Sequence, residues 1–208
     1  TLSGVTWAWN FDAGSTPATS ADQNPVVQFT TPGWQPVKLT VSNAQGISSK
    51  ADTFLVYVAN DLASYQAPFY EGFEDPNVVS SGEWASVNYD ENLTSFKRVN
   101  FASHSGNACV QLNNYDSRAD HDIDELISPG FDLTALSNAN LQLSFYYSLT
   151  SWNQNFSELV DSIVVYATSN CGTSWIALYK KAGSQVVNAG YWQGYFVPTQ
   201  EQSYWKQV

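Results

Sequence analysis

Apolar and polar residues alternate with a period of two along much of this chain, and the three-to-four spacing of an amphipathic helix is almost absent. Val37, Leu39 and Val41 fall on one side of an extended segment, with Lys38, Thr40 and Ser42 on the other. Leu141, Leu143, Phe145 and Tyr147 alternate in the same way with Gln142, Ser144 and Tyr146. Ile163, Val165 and Ala167 make a third row, and Ala108, Val110 and Leu112 a fourth. Successive side chains of a strand point to opposite faces, so each row predicts a half-buried strand of an antiparallel sheet. Turn residues separate the rows at Pro32-Gly33, Asn43 to Gly46, Ser105-Gly106-Asn107, Pro129-Gly130 and Cys171-Gly172-Thr173. Short strands punctuated in this way predict an all-β chain of sandwiches or jelly rolls. A single helical turn is expected at 133–138.

Strands are expected at 5–11, 26–30, 37–42 and 53–59. The stretch 60–68 has polar and small residues, a proline and no alternation, and reads as a linker. This divides the chain into units 1–59 and 69–208. The two show different patterns and no internal repeat.

Composition narrows the setting. Only 13% of the 208 residues are charged, about half the usual share, while 15% are aromatic, including eight Trp. The net charge of −11 repels phosphate backbones and anionic membrane surfaces, which argues against nucleic-acid binding. No run approaches the roughly 18 apolar residues of a membrane-spanning helix, so membrane insertion is not expected. Cys109 and Cys171 are the two cysteines, enough for one disulfide in an oxidising compartment. They are too few for a thiolate zinc site.

The first unit carries Trp7-x-Trp9-x-Phe11, Gly14, Pro17-Ala18-Thr19-Ser20, Asn24-Pro25, Phe29, Pro32-Gly33, Val37-x-Leu39-x-Val41, Asn43 and Gly46. This order, over residues 5–58, resembles a PKD domain, an Ig-like sandwich of bacterial surface and secreted hydrolases. The family places a tyrosine two residues after the Pro-Gly turn, where this chain has Gln35. The adjacent Trp34 supplies an aromatic ring instead, and is the candidate for stacking on a sugar or peptide. Trp7, Trp9 and Phe11 read as core.

The second unit opens on Phe69-Tyr70-Glu71-Gly72-Phe73-Glu74-Asp75-Pro76 and Trp84. It continues with Ser105-Gly106-Asn107, Asn113-Asn114-Tyr115, Leu126-Ile127-Ser128-Pro129, Phe131-Asp132-Leu133, Leu143 to Tyr147, Asp161 to Val165 and Cys171-Gly172-Thr173-Ser174-Trp175. This set resembles the MAM-like jelly-roll modules that follow PKD domains in secreted bacterial pappalysin-like metalloproteases and related sorted surface proteins. The resemblance implies a secreted or cell-surface location and an accessory role beside the rest of a parent polypeptide. It also implies a structural calcium ion near Glu74, Asp75 and Asn107. A unit of each family has more strands than are visible here, so both ends are expected to be incomplete and to leave open edges for another chain or segment.

Catalytic signatures are sparse. The zinc motif HExxH is absent, and the two histidines, His104 and His121, have no partner at its spacing. Ser105 follows His104 directly, but strand neighbours point to opposite faces. No GxSxG elbow or phosphate loop occurs. Glu71, Glu74, Glu83, Glu158 and Asp161 are the carboxylates from which a glycosidase pair would be drawn. The run Asp120-His121-Asp122-Ile123-Asp124-Glu125 imitates the start of a calcium loop. It lacks the glycine and the closing carboxylate that an EF-hand needs, and reads as a solvated loop with an ion as the alternative. The reading that follows is a non-catalytic accessory region of a secreted multidomain protein, with an extracellular protein or a glycan as partner. The alternatives are a carbohydrate-binding or adhesin module and an enzyme fragment that retains activity.

Overall fold

The computed structural model describes residues 4–59, 65–81, 83–90, 92–115, 122–136 and 140–208. The expected segment 60–64, Asp120, His121 and the end of the expected helical turn at 137–138 lie outside these residues. Among the described residues the only helical elements are four 3-10 turns of three residues each, so the chain is all-β as its periodicity predicted.

In the first unit the strands are β1 (Thr6–Asn10), β2 (Ser15–Thr16), β3 (Thr19–Ser20), β4 (Gln28–Phe29), β5 (Gly33–Asn43) and β6 (Gly46–Val58). They form a four-stranded sheet in the order β3-β1-β5-β6, with β2 and β4 paired separately. The β5–β6 hairpin turns at Asn43, whose Oδ1 accepts from the Gln45 and Gly46 amides at 2.8 and 3.1 Å. Asparagine at this place offers a side-chain acceptor that holds the turn before the ladder begins. The ladder breaks once: Gln35 faces Val56, but Val37 faces Asp52. Pro36 sits at that bulge, where its missing N–H leaves no ladder bond unmade.

In the Trp7-Trp9-Phe11 row the two tryptophans are half-buried and Phe11 belongs to the core. Phe11 is buried, stacked on Trp9 at 5.7 Å and set edge-on to Phe29 at 6.1 Å, which ties the β2–β4 pair to the larger sheet. Gln35 is buried too. Its Nε2 donates to the Thr31 and Gly33 carbonyls at 2.7 and 3.2 Å, so the buried amide is satisfied. Gly14 lies against it, since a Cβ there would come within 2.7 Å of Thr31 and 2.8 Å of Gln35.

The second unit is built from strand pairs. Its strands are β7 (Tyr65–Gln66), β8 (Ala85–Asn88), β9 (Lys97–Val99), β10 (Cys109–Gln111), β11 (Asp124–Ile127), β12 (Phe131–Asp132), β13 (Tyr146–Tyr147), β14 (Ser162–Ala167), β15 (Ile176–Ala182) and β16 (Lys206–Gln207). The pairs are β7–β12, which is parallel, and the antiparallel β8–β11, β9–β10, β13–β16 and β14–β15. Tyr65 and Gln66 were expected in the linker, but they pair with Phe131 and Asp132. Asn188 joins separate segments: its Oδ1 accepts from the Leu149 amide at 2.8 Å and its Nδ2 donates to the Tyr204 carbonyl at 2.8 Å.

Candidate functional site

The Phe-Glu pair at the opening of the second unit is held by its backbone. Phe73 has a left-handed φ of 58°, its ring packs edge-on against Trp84 at 5.2 Å, and Arg98 of β9 donates to the Phe73 and Glu74 carbonyls at 2.7 and 3.0 Å. These contacts aim Glu74 at the Ser105-Gly106-Asn107 turn. Its Oε1 accepts from the Asn107 amide at 2.8 Å and its Oε2 from Asn107 Nδ2 at 3.4 Å. Those donors, together with the Ala108 amide and the Arg98 charge, hold the carboxyl below the usual carboxylate range, the Asn107 backbone amide most of all. Gly106 takes φ 68°, a left-handed backbone that favours glycine, and a Cβ there would displace the Glu74 carboxylate.

Of the three residues implied for calcium, the structure therefore joins Glu74 and Asn107 and separates Asp75. The Asp75 Oδ1 instead accepts from the Asn77 amide at 2.8 Å, within its own turn. Glu74 meets N–H donors, which make directly the tie that an ion would otherwise supply. A calcium ion seeks six to eight oxygens, and the donors facing Glu74 are nitrogens, so these residues as arranged fit one poorly.

A second acidic group gathers between β8 and β11. Asn92 Nδ2 donates to Asp90 and Asp122 at 2.7 and 2.6 Å, and Asp124 follows on β11. Burial, then the Asp122 and Asp90 charges, push the Asp124 carboxyl up to about 6, and its Oδ1 is buried without a hydrogen bond. Among the described residues no group of three or more His, Cys, Asp and Glu is arranged to hold a metal ion.

Two other expectations meet the structure differently. Trp34 is half-buried, faces Tyr57 across the β5–β6 ladder and packs its ring on that tyrosine at 5.2 Å. Both thiols are free, so the Cys109–Cys171 bridge is not formed. Cys109 lies half-buried in β10 against β9, whereas Cys171 is exposed in the turn between β14 and β15; the two belong to different strand pairs.

A feature the sequence reading missed lies next to Asn107. An open groove of about 230 Å³ is lined by 100–103, Gly106, Asn107 and 198–200. Its floor is ordered by Gln200, whose Nε2 donates to Ser103 Oγ at 2.9 Å and to the Gly106 carbonyl at 2.6 Å. Five of the nine lining residues, Asn100, Ser103, Asn107, Thr199 and Gln200, carry amides or hydroxyls, and none is charged.

Phe101, on the groove wall, begins a row of rings. It touches Tyr195 at 6.4 Å, Tyr195 touches Tyr115 at 6.1 Å, and Tyr115 touches Trp152 at 5.5 Å. All four are open to solvent, at 51, 42, 49 and 58% exposure for Phe101, Tyr195, Tyr115 and Trp152. The row is anchored from behind. The Tyr195 hydroxyl donates to Gln111 of β10 at 3.0 Å. Buried Ser151, beside Trp152, bonds through its amide to the Gly190 carbonyl at 2.9 Å and accepts from Trp192 at 3.0 Å. The one sequence signal was that these rings sit in turn-rich segments outside every alternating row.

No protein-family model, curated protein or solved structure matches this chain.

Proposed function

We propose that the chain is a non-catalytic accessory and binding region of a secreted, multidomain bacterial protein, with a metalloprotease as the parent that the resemblance suggests. On this reading 1–59 is a PKD-like Ig-type sandwich, 69–208 is a MAM-like jelly roll, and the pair spaces the parent's catalytic domain and attaches it to an extracellular protein or glycan. The observation that carries the reading is the groove with its row of rings. The groove holds no acid, base or thiol among its nine lining residues, and a reaction needs such groups positioned within hydrogen-bond reach. Its volume falls below the roughly 300–1,000 Å³ of a pocket that engulfs a small molecule. An open groove continued by exposed aromatics suits adhesion to something extended.

The test is to incubate the whole chain with insoluble extracellular polymers (collagen, chitin and cellulose) and with soluble protease, esterase and glycosidase substrates. Depletion onto at least one polymer without turnover is expected. Turnover that tracks the purified chain would overturn the accessory reading and favour an enzyme fragment.

A further inference from the structure

We propose that Asn155 is an acceptor for an N-linked oligosaccharide, and that the exposed ring of Trp152 seats its first sugar. The inference rests on the extracellular reading above and goes beyond it by naming a modification and its site.

Two stretches have the Asn-x-Ser/Thr order that an oligosaccharyl transferase reads, Asn92-Leu93-Thr94 and Asn155-Phe156-Ser157. An N-linked sugar replaces one of the two protons on the amide nitrogen. The folded chain keeps its bonds only where that nitrogen uses no more than one of them. Asn92 uses both: its Nδ2 donates to Asp90 and Asp122 at 2.7 and 2.6 Å. Its Oδ1 accepts from the Thr94 amide at 2.6 Å, and Thr94 is buried, so this sequence is closed inside its own turn. Asn155 differs on each count. It is exposed, and among the described residues its Nδ2 makes one bond, to Glu158 Oε1 at 2.9 Å. The other proton is open to substitution. Its Oδ1 accepts from the Ser157 hydroxyl at 2.7 Å and the Ser157 amide at 3.3 Å. The acceptor amide and the hydroxyl that marks it therefore lie side by side on one exposed turn.

The segment around them is tied to itself and faces outward. Ser151 is buried, and its Oγ accepts from the Asn153 amide at 3.0 Å and donates to the Asn153 carbonyl at 2.8 Å. Asn153 Oδ1 accepts from the Asn155 amide at 2.9 Å, and Asn153 Nδ2 donates to Glu158 Oε2 at 2.7 Å. Glu158 thus holds both amides with its two oxygens. Trp152 stands three residues ahead of Asn155 and is 58% exposed. Its indole offers a broad apolar face, which suits the C–H side of a pyranose. One ring is enough to seat one sugar.

The step is a substitution with no change of oxidation state. The donor is an oligosaccharide on a polyprenyl diphosphate, and the catalyst is a membrane oligosaccharyl transferase. Nδ2 forms a bond to the anomeric carbon. The bond from that carbon to the diphosphate oxygen breaks, and its electron pair leaves with the diphosphate. The displaced amide proton passes to a base of the transferase.

The test is glycopeptide mapping of the whole chain, recovered from its native cells and, for the variants, secreted from yeast. An oligosaccharide on Asn155 and a bare Asn92 are expected in both. Asn155→Gln and Ser157→Ala are expected to lose the modification and Ser157→Thr to keep it. Trimming with an endoglycosidase that leaves the first sugar should not move the melting midpoint. Removing that sugar with an amidase should lower it by about 2–4 °C, the shift of one ring contact in a chain of this size. In Trp152→Ala the amidase step should leave the midpoint in place; if near-ultraviolet circular dichroism shows that variant unfolded, Trp152→Leu takes its part. A secreted chain with Asn155 bare, from either source, overturns the proposal and leaves the extracellular reading standing. A chain confined to the cytoplasm of its native cells overturns both. An oligosaccharide on Asn92 also overturns the proposal, and an equal fall in the Trp152 variant overturns the seating by that ring.

Discussion

Replacing Gly106 with alanine separates two roles of one residue. The left-handed backbone at φ 68° would cost an L-residue roughly 1–2 kcal/mol. In addition, the new Cβ would stand 3.0 Å from Glu74 Cδ and closer still to Oε1, so the carboxylate must swing off the Asn107 amide. The backbone part alone corresponds to a fall in melting midpoint of roughly 2–8 °C for a protein of this size. The collision adds to that only while Glu74 is present. Thermal melts of the parent, Gly106→Ala, Glu74→Ala and the double variant form a cycle that isolates the second part. The expected outcome is a fall of roughly 2–8 °C on adding Gly106→Ala to Glu74→Ala, and a larger fall on adding it to the parent. Equal falls in both backgrounds would refute the Glu74–Gly106 contact. No fall in either would refute the left-handed turn itself. Gly106 also presents its carbonyl to Gln200 and Ser103 in the groove.

Three further outcomes follow from the site. Asp124 has a folded pKa of about 6, above its ordinary 3.8, so its contribution to stability is full below pH 3.8 and is lost as pH rises through 6; discounted for its exposure, the effect is about 1 kcal/mol, and Asp124→Asn should raise the midpoint at pH 7 but not at pH 3.5, whereas an equal gain at both would refute the burial and Asp90–Asp122 account. Burial pushes the Cys109 thiol up to about 11, so a thiol reagent at neutral pH should modify exposed Cys171 rapidly and Cys109 only after denaturation, and finding no free thiol in the denatured, unreduced chain would restore the disulfide. Melts in millimolar calcium and in chelator are expected to overlap, because Glu74 is already held by N–H donors; a calcium-dependent rise abolished by Glu74→Gln would restore the ion.

The first unit was the more legible in sequence because its strands carry their own signals. The expected strands at 5–11, 37–42 and 53–59 fall within or over β1, β5 and β6, where alternation and the Asn43 turn agree. The second unit was less so. The row 141–147 reads as one strand, yet pairing is confined to its end, where Tyr146 and Tyr147 face β16 and Phe145 exchanges backbone bonds with Val208, and Leu141 and Leu143 stay 48 and 63% exposed. Ile176 and Leu178 of β15 are likewise 69 and 58% exposed. Alternation reports which side chains share a face, but it does not say whether a second layer covers that face.

The same limit explains why Trp34 was singled out and Trp152 was not. Trp34 adjoins Gln35, and its register places it opposite Tyr57, with the two rings tilted by 55°. The four rings of the row come from positions 101, 115, 152 and 195, and no local pattern links them. They meet because Ser151 ties its segment to Gly190 and Trp192, and Tyr195 is pinned to Gln111 of β10. Glu74 was legible through its motif, and it reaches the same place from the other side by fixing Asn107. The motif residue thus acts on the groove through the turn it braces.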